Sequence, residues 1–266
     1  MKTMKTFEYT SSVTGTKRHC SFYIPHDPES RTPQILLFVL HGIGGDENEW
    51  AHFGDPTSIL DDLVSSHSIP PLVALFPNGR ASVPDSPPSN PFEPYAIEGF
   101  ARFGEELLQD LLPLAHKTFS IPLCAENRII CGLSMGGGQA LNIGLSNPHV
   151  FSRIGAFSPA PNTDVLKSLE IGINNRNNEK KLSSKDQYND LSCLHSVSKG
   201  IAEKFPHVWL CCGVSDSLLE VTQTSEKFLN DAGVQLHTEY IEGDHDWNVW
   251  NYGLRHSLAF FWKETT

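Results

Sequence analysis

No apolar run in the 266 residues approaches the roughly 18 to 20 that a bilayer-spanning helix requires, so such a span is not expected. Basic residues are in deficit: Lys plus Arg number 20 against 31 Asp plus Glu, a formal net charge of −11. A surface of that sign repels phosphate backbones and anionic lipid, which removes nucleic acid and membrane surfaces as expected partners. Cysteine is scarce, at six residues, with no C-x-x-C pair and no H-E-x-x-H. That excludes a disulfide scaffold, argues against a structural zinc site and leaves reduced thiols as the expectation. The first residues carry Lys2 and Lys5 but no apolar stretch behind them, unlike a secretory leader. A cytoplasmic protein is therefore expected, the alternative being secretion with a leader already removed. What is present is ample core material, 39% hydrophobic residues with only 19% charged, which excludes disorder over the whole length.

Short apolar runs alternate with helical patterns along the chain, the signature of a mostly parallel sheet with helices on both faces. Residues 6–13 and 18–25 alternate polar and apolar about a Gly-containing turn, predicting an antiparallel opening hairpin. Residues 35–40 (ILLFVL), 72–76 (LVALF) and 128–133 (RIICGL) read as strands buried on both sides. Further strands are expected at 151–157, 208–212 and 235–241, and helices at 98–119, 135–145, 218–229 and 247–261. Two stretches break the rhythm. Six prolines between residues 77 and 94 forbid a regular element and predict a long loop near the site. Residues 172–190 are almost wholly polar and read as a surface insertion within one domain that spans the chain.

The informative segment is Gly132-Leu-Ser134-Met-Gly136, a G-x-S-x-G between a predicted strand and a predicted helix. A sharp strand-to-helix turn lifts the serine hydroxyl clear of the sheet, aims the Met135 N–H into the site, and leaves no room for flanking side chains. A serine hydroxyl needs a base to take its proton and an acid to orient that base. In the α/β-hydrolase fold the chain order is serine, acid, histidine, each just past a strand. Asp216 follows the strand predicted at 208–212 and His245 the one at 235–241, giving Ser134, Asp216 and His245 in the required order at one sheet edge. Asp244 and Asp246 flank the histidine and are the alternative acids. His41 opens the loop His41-Gly-Ile-Gly-Gly45, whose glycines suit a second oxyanion donor. Ile43 N–H is the first candidate and Gly44 the second, with His41 packed beneath. Trp50, Tyr95, Trp247 and Trp250 stand close in sequence to these elements and suit a planar aromatic or sugar-bearing ester.

The stretch Leu40-His-Gly-Ile-Gly-Gly-Asp-Glu-Asn-Glu-Trp50 resembles the corresponding loop of the esterase D-like group of α/β-hydrolases. More narrowly, it is similar to that of carbohydrate esterase family 1, which holds feruloyl and acetylxylan esterases. Pro77-Asn78, Gly132–Leu145, Ser158–Asn162 and Gly243–Trp250 match as well, so the resemblance runs from about residue 6 to residue 262. It implies Ser134 as nucleophile, His245 as general base, Asp216 as orienting acid, and an acyl-enzyme cycle without metal or organic cofactor. Asn78 and Asn162 join Trp50, Trp247 and Trp250 as candidate substrate-binding residues. The loop, the elbow and the His-x-Trp-x-x-Trp ending sit nearest the feruloyl esterase pattern, whereas the 172–190 insertion departs from it. The expected function is hydrolysis of hydroxycinnamoyl esters of plant cell-wall sugars. The alternatives are an acetylxylan or short-chain esterase on the same residues, or a non-catalytic carbohydrate-binding protein of the same fold.

Overall fold

The protein is described by a computed structural model at residues 3–86, 88–122, 124–160, 165–182 and 205–263. The chain opens with β1 (Lys5–Thr10) and β2 (Lys17–Tyr23), paired antiparallel with Phe7 opposite Cys20. It continues through β3 (Ile35–Leu40), the short α1 (Glu49–Phe53), α2 (Pro56–Ser65) and β4 (Leu72–Pro77). Then come α3 (Pro94–Glu106), a π-helical turn (Leu107–Leu111), α4 (Leu112–Phe119), β5 (Arg128–Leu133) and α5 (Met135–Ser146). The last third holds β6 (Arg153–Phe157), α6 (Val165–Leu182), β7 (His207–Gly213), α7 (Leu219–Asp231), β8 (Leu236–Ile241) and α8 (Trp247–Lys263). All eight strands form one sheet in the order β1-β2-β4-β3-β5-β6-β7-β8, parallel from β4 onward.

The continuous apolar strands are explained by their position. On one face of the sheet Leu36, Phe38 and Leu40 pack with Phe103, Leu111 and Leu141. On the other, Ile35, Leu37 and Val39 pack with Ile59, Leu63, Leu254 and Leu258. A strand covered on both sides has no polar face to display, and each such side chain contributes about 1.5–3 kcal/mol on burial. From β3 the chain turns first to β4 on one side and later to β5 on the other. That reversal opens a crevice at the carboxyl ends of β3 and β5, the place where open parallel sheets take ligands.

Three expectations need correction. The helix expected at 98–119 starts earlier, with Pro94 in its first turn, and widens into the π-helical turn before α4. Pro113 has no N–H to give the Gln109 carbonyl and its ring would strike that carbonyl, so the ladder loosens there. The stretch from Gly172 does not break the rhythm as far as Leu182, because α6 runs through it. Gly172 is buried against α5, where a Cβ would come 2.1 Å from the Leu145 carbonyl oxygen, and Asn175 Nδ2 donates to Ser146 O at 2.8 Å. A helix that docks through a glycine and an amide leaves little hydrophobic periodicity to read. Residues 183–190 lie outside the described residues. Finally, Cys20, Cys131, Cys211 and Cys212 are free and buried, but Cys124 is disulfide-bonded, so the thiols are not all reduced.

Among its described residues the loop at 78–93 carries no helix or strand, as its prolines require, and it is fastened from below. Fully buried Arg18 on β2 donates Nε to Glu106 Oε1 at 3.0 Å and Nη2 to the Asn78 carbonyl at 2.8 Å, and its Nη1 donates to Asp85. Tyr9 and Ser11 hydroxyls donate to the two Glu106 oxygens at 2.5 and 2.6 Å. Every oxygen of the buried Glu106 carboxylate is thereby engaged, which a charge in this position requires. Among the described residues, no helix is long and apolar enough to cross a membrane.

Candidate active site

Ser134 leaves β5 with φ 51° and ψ −117°, a conformation that L-residues avoid at a cost of about 1–3 kcal/mol. Three backbone bonds hold it there: Ser134 N–H to Phe157 O at 2.8 Å, and Ala160 N–H and Gly138 N–H to Ser134 O at 2.9 and 3.1 Å. The glycines on either side have a steric cause. A Cβ on Gly132 would stand 2.5 Å from the Gly136 carbonyl oxygen, and one on Gly136 2.5 Å from that of His41.

Strands β7 and β8 pair with Gly213 opposite Ile241, and Ser215 N–H donates to Gly243 O at 3.0 Å, which brings the two following loops side by side. His245 Nδ1 lies 2.9 Å from Asp216 Oδ2 and 3.1 Å from Oδ1, and its Nε2 lies 3.0 Å from Ser134 Oγ. The Asp216 side chain is fully buried and that of His245 is 29% exposed. Burial alone would push the Asp216 carboxyl up. The Ser158 hydroxyl, the Leu218 N–H and His245 outweigh it and hold the group below its ordinary value. An ionised Asp216 only accepts, so Nδ1 carries the proton and Nε2 offers its lone pair to the serine O–H. The arrangement can move the Ser134 proton onto His245 without displacing an atom far. Asp244 accepts the N–H of His245 itself, and Asp246 accepts those of Asn248 and Val249 at the start of α8. Both alternative acids are thus spent on backbone.

The loop after β3 is organised by His41. Its Nδ1–H donates to Gly42 O at 2.6 Å, and Gly79 N–H donates to its Nε2 at 2.8 Å. Glu49 Oε2 takes the Gly42 N–H at 2.7 Å, and Arg80 Nη1 donates to Gly45 O at 3.1 Å. Among the described residues, no protein acceptor meets the N–H of Ile43 or Gly44. Met135 opens α5, where the positive end of the helix dipole favours an anion. Phe100, Met135 and Ala160 form a small apolar cluster with Ile43 against it, a wall next to Ser134.

With both ring nitrogens spent, His41 is held neutral: burial pulls its pKa from 6.5 to about 4. The unfolded chain binds that proton more readily, so stability is whole at neutral pH and falls as pH drops from about 6.5 toward 4. The loss is about 3 kcal/mol at pH 4. His41→Gln has no such group to titrate. Urea unfolding of both proteins at pH 7 and pH 4 should show the wild type losing about 3 kcal/mol more than the variant over that interval. Parallel losses would mean that His41 titrates normally.

The candidate binding residues separate into distinct environments. Trp50 is buried, its Nε1–H bonded to Leu40 O at 3.1 Å, and it meets Trp247 edge-on at 5.1 Å. Asn78 is wholly buried. Its amide donates to Asp85 and accepts from the Arg80 N–H, leaving nothing for a ligand, so its place is in the loop's support. Asn162 lies outside the described residues. Trp250 is buried edge-on against the His245 ring at 4.9 Å, and half-buried Trp247 meets Trp250 edge-on at 5.0 Å. Tyr95 is exposed in the first turn of α3. Sequence reasoning missed Arg80, Glu49, Phe100 and Phe53. Phe53 had a signal: it stands three residues past Trp50, the helical spacing that brings both rings to Trp247. Among the described residues, no three His, Cys, Asp or Glu side chains converge as a metal ion would need.

Comparison with known proteins supplies the family and the fold. The family described as "Putative esterase" matches residues 11–261. An acetyl esterase of Caldicellulosiruptor saccharolyticus is 29% identical over 238 residues, covering 85% of this chain and 82% of that protein. An endo-1,4-beta-xylanase/feruloyl esterase of Xylanibacter ruminicola is 28% identical over 159 residues, 56% of this chain and 20% of that one. The structure of a ferulic acid esterase of Anaeromyces mucronatus in complex with ferulic acid superposes with a TM-score of 0.75 at 22% identity. It covers 99% of this chain and 92% of its own. The expected α/β-hydrolase fold is therefore the fold observed.

Proposed function

Because the chain belongs to this esterase family and hydrolyses carboxylic esters, we propose that it does so with Ser134 as nucleophile, His245 as general base and Asp216 as its orienting acid. The preferred substrates in this reading are hydroxycinnamoyl, in particular feruloyl, esters of plant cell-wall sugars. The reading rests on one observation, the unbroken hydrogen-bonded chain from Asp216 through His245 to Ser134 Oγ. His245 Nε2 takes the hydroxyl proton as Ser134 Oγ bonds to the ester carbonyl carbon. The carbonyl oxygen becomes an oxyanion held by the N–H groups of Met135 and Ile43, donors of a kind each worth about 3–4 kcal/mol in the transition state. The tetrahedral centre collapses, the C–O bond to the alcohol breaks, and His245 returns its proton to the departing alkoxide. Water then attacks the acyl-serine with His245 again as base, and the free acid leaves.

The acyl preference is supported by the apolar wall of Phe100, Met135, Ala160 and Ile43, which suits an aromatic acid, and by the similarity to proteins that act on ferulic esters. The similarity to an acetyl esterase over most of both chains favours the second reading, a short-chain acyl group on the same machinery. Purified protein assayed with methyl ferulate, methyl p-coumarate and methyl acetate decides between them. The first reading expects kcat/KM for methyl ferulate to exceed that for the acetate, the leaving groups being matched. A preference for acetate would replace it with the second. Labelling of the protein by a fluorophosphonate probe is expected in either case, and a protein that stays unlabelled would return the question to a non-catalytic carbohydrate-binding role.

A further inference from the structure

Phe53 is a large aromatic side chain left 65% exposed at the end of α1, yet its ring is not loose. It lies stacked on Trp247 with centroids 6.2 Å apart and planes at 28°. Trp247 in turn is wedged edge-on between Trp50 and Trp250, and Trp250 meets the His245 ring edge-on. A continuous aromatic wall therefore runs from the imidazole to the surface. It is braced from both sides. Gly54 lets the α1 end approach Trp247 so closely that a Cβ there would come 2.8 Å from its Cζ3, and Asp55 N–H donates to Asn251 Oδ1 on α8 at 3.0 Å. An aromatic surface already fixed in place loses little freedom when a ligand covers it.

The chemistry assigns this wall to one half of the substrate. His245 must stand beside the departing oxygen to return its proton, so the alcohol half of the ester lies on the His245 side. The acyl half lies toward Ile43, Met135, Phe100 and Ala160. We infer that Phe53 and Trp247 form a subsite for a sugar ring of the leaving alcohol, the C–H face of the ring lying on the exposed face of Phe53. The inference rests on the ester-hydrolase reading of the triad but not on which acyl group is cleaved.

Two pairs of esters test it, each pair sharing an acyl group and differing in the alcohol. One pair is methyl ferulate and a feruloylated arabinoxylan oligosaccharide, the other 4-nitrophenyl acetate and an acetylated xylo-oligosaccharide. For Phe53→Ala the ratio of kcat/KM, sugar ester to simple ester, is expected to fall about 5- to 10-fold, carried by KM rather than kcat, and Phe53→Tyr to restore it. Because Phe53 is largely exposed, the variant is expected to unfold within a few degrees of the wild type, which a thermal melt checks. An unchanged ratio in both pairs would overturn the subsite, as would equal losses on sugar and simple esters. A loss confined to ferulate esters whatever their alcohol would place the acyl ring on Phe53 and overturn it as well. If no feruloyl ester is hydrolysed, the acyl proposal fails while the acetyl pair still judges the subsite. Failure to cleave either sugar ester while simple esters are cleaved would overturn it.

Discussion

Ser134→Ala should lower kcat for ester hydrolysis by about 10⁵- to 10⁶-fold, the scale on which removing a triad serine acts elsewhere. The reason lies in what the Oγ atom does in the folded protein. Its hydrogen-bond partner is His245 Nε2, and the turn is held by backbone bonds that alanine keeps. The substitution thus deletes the proposed nucleophile and little else. Folding should be preserved, since alanine at φ 51° carries the same backbone strain that serine already bears. Residual hydrolysis above water would come from the oxyanion donors and from binding. Steady-state rates on an activated ester, together with loss of fluorophosphonate labelling, check the prediction. Activity within tenfold of the wild type would remove Ser134 from the reaction.

Asp216→Asn should cost about 10⁴-fold in kcat, and the geometry says why. The carboxylate divides its work: Oδ1 accepts the Leu218 N–H at 2.7 Å, while Oδ2 makes the shorter contact to His245 Nδ1. In the amide the remaining oxygen is retained by Leu218, which turns the NH₂ group toward Nδ1. The imidazole must then accept at Nδ1 and carry its proton on Nε2, so it meets the Ser134 hydroxyl as a donor and cannot take its proton. The low pKa of Asp216 serves the same end, because the anion persists wherever the imidazole works. The same replacement at Asp244 or Asp246, each engaged with backbone N–H groups, should have a far smaller effect on kcat. A comparable loss there, with Asp216→Asn unaffected, would reassign the orienting acid.

The sheet and the meeting of Ser134, Asp216 and His245 could be read from the chain because both depend on local rules. Runs such as residues 35–40 and 128–133 are apolar throughout because both faces are covered, and they fall on β3 and β5 without a shift. Gly132 and Gly136 are dictated by contacts under 3 Å, which only hydrogen can fill. Asp216 and His245 sit within five residues of strand ends, so predicting the strands predicted their edge. What escaped depends on distant partners. Asn78 looked like a ligand contact because it falls in the Pro77-Asn78 segment that matches the resembled family, but its amide belongs to Asp85, and nothing local announces that pairing. Polar α6 was hidden because it docks through Val165, Leu169 and Gly172, too few apolar positions to mark a period. Arg80 reads as an ordinary loop cation until its guanidinium is found on the Gly45 carbonyl. The identity of the acyl group is unreadable for a similar reason, since Ile43, Phe100, Met135 and Ala160 meet only in the fold.

The first two strands pair antiparallel to each other at the margin of the sheet, yet Arg18 ties β2 to the loops around the candidate site. Its guanidinium grips the Asn78 carbonyl, the next residue's amide grips His41, and His41 grips the carbonyl just before Ile43. The hairpin is thereby linked, bond by bond, to the loop that carries the proposed oxyanion donor Ile43. The beginning of the chain therefore acts as a guy-rope for chemistry carried out by residues far along it. Substitutions in those strands that break the Arg18 link are therefore expected to alter turnover from a distance.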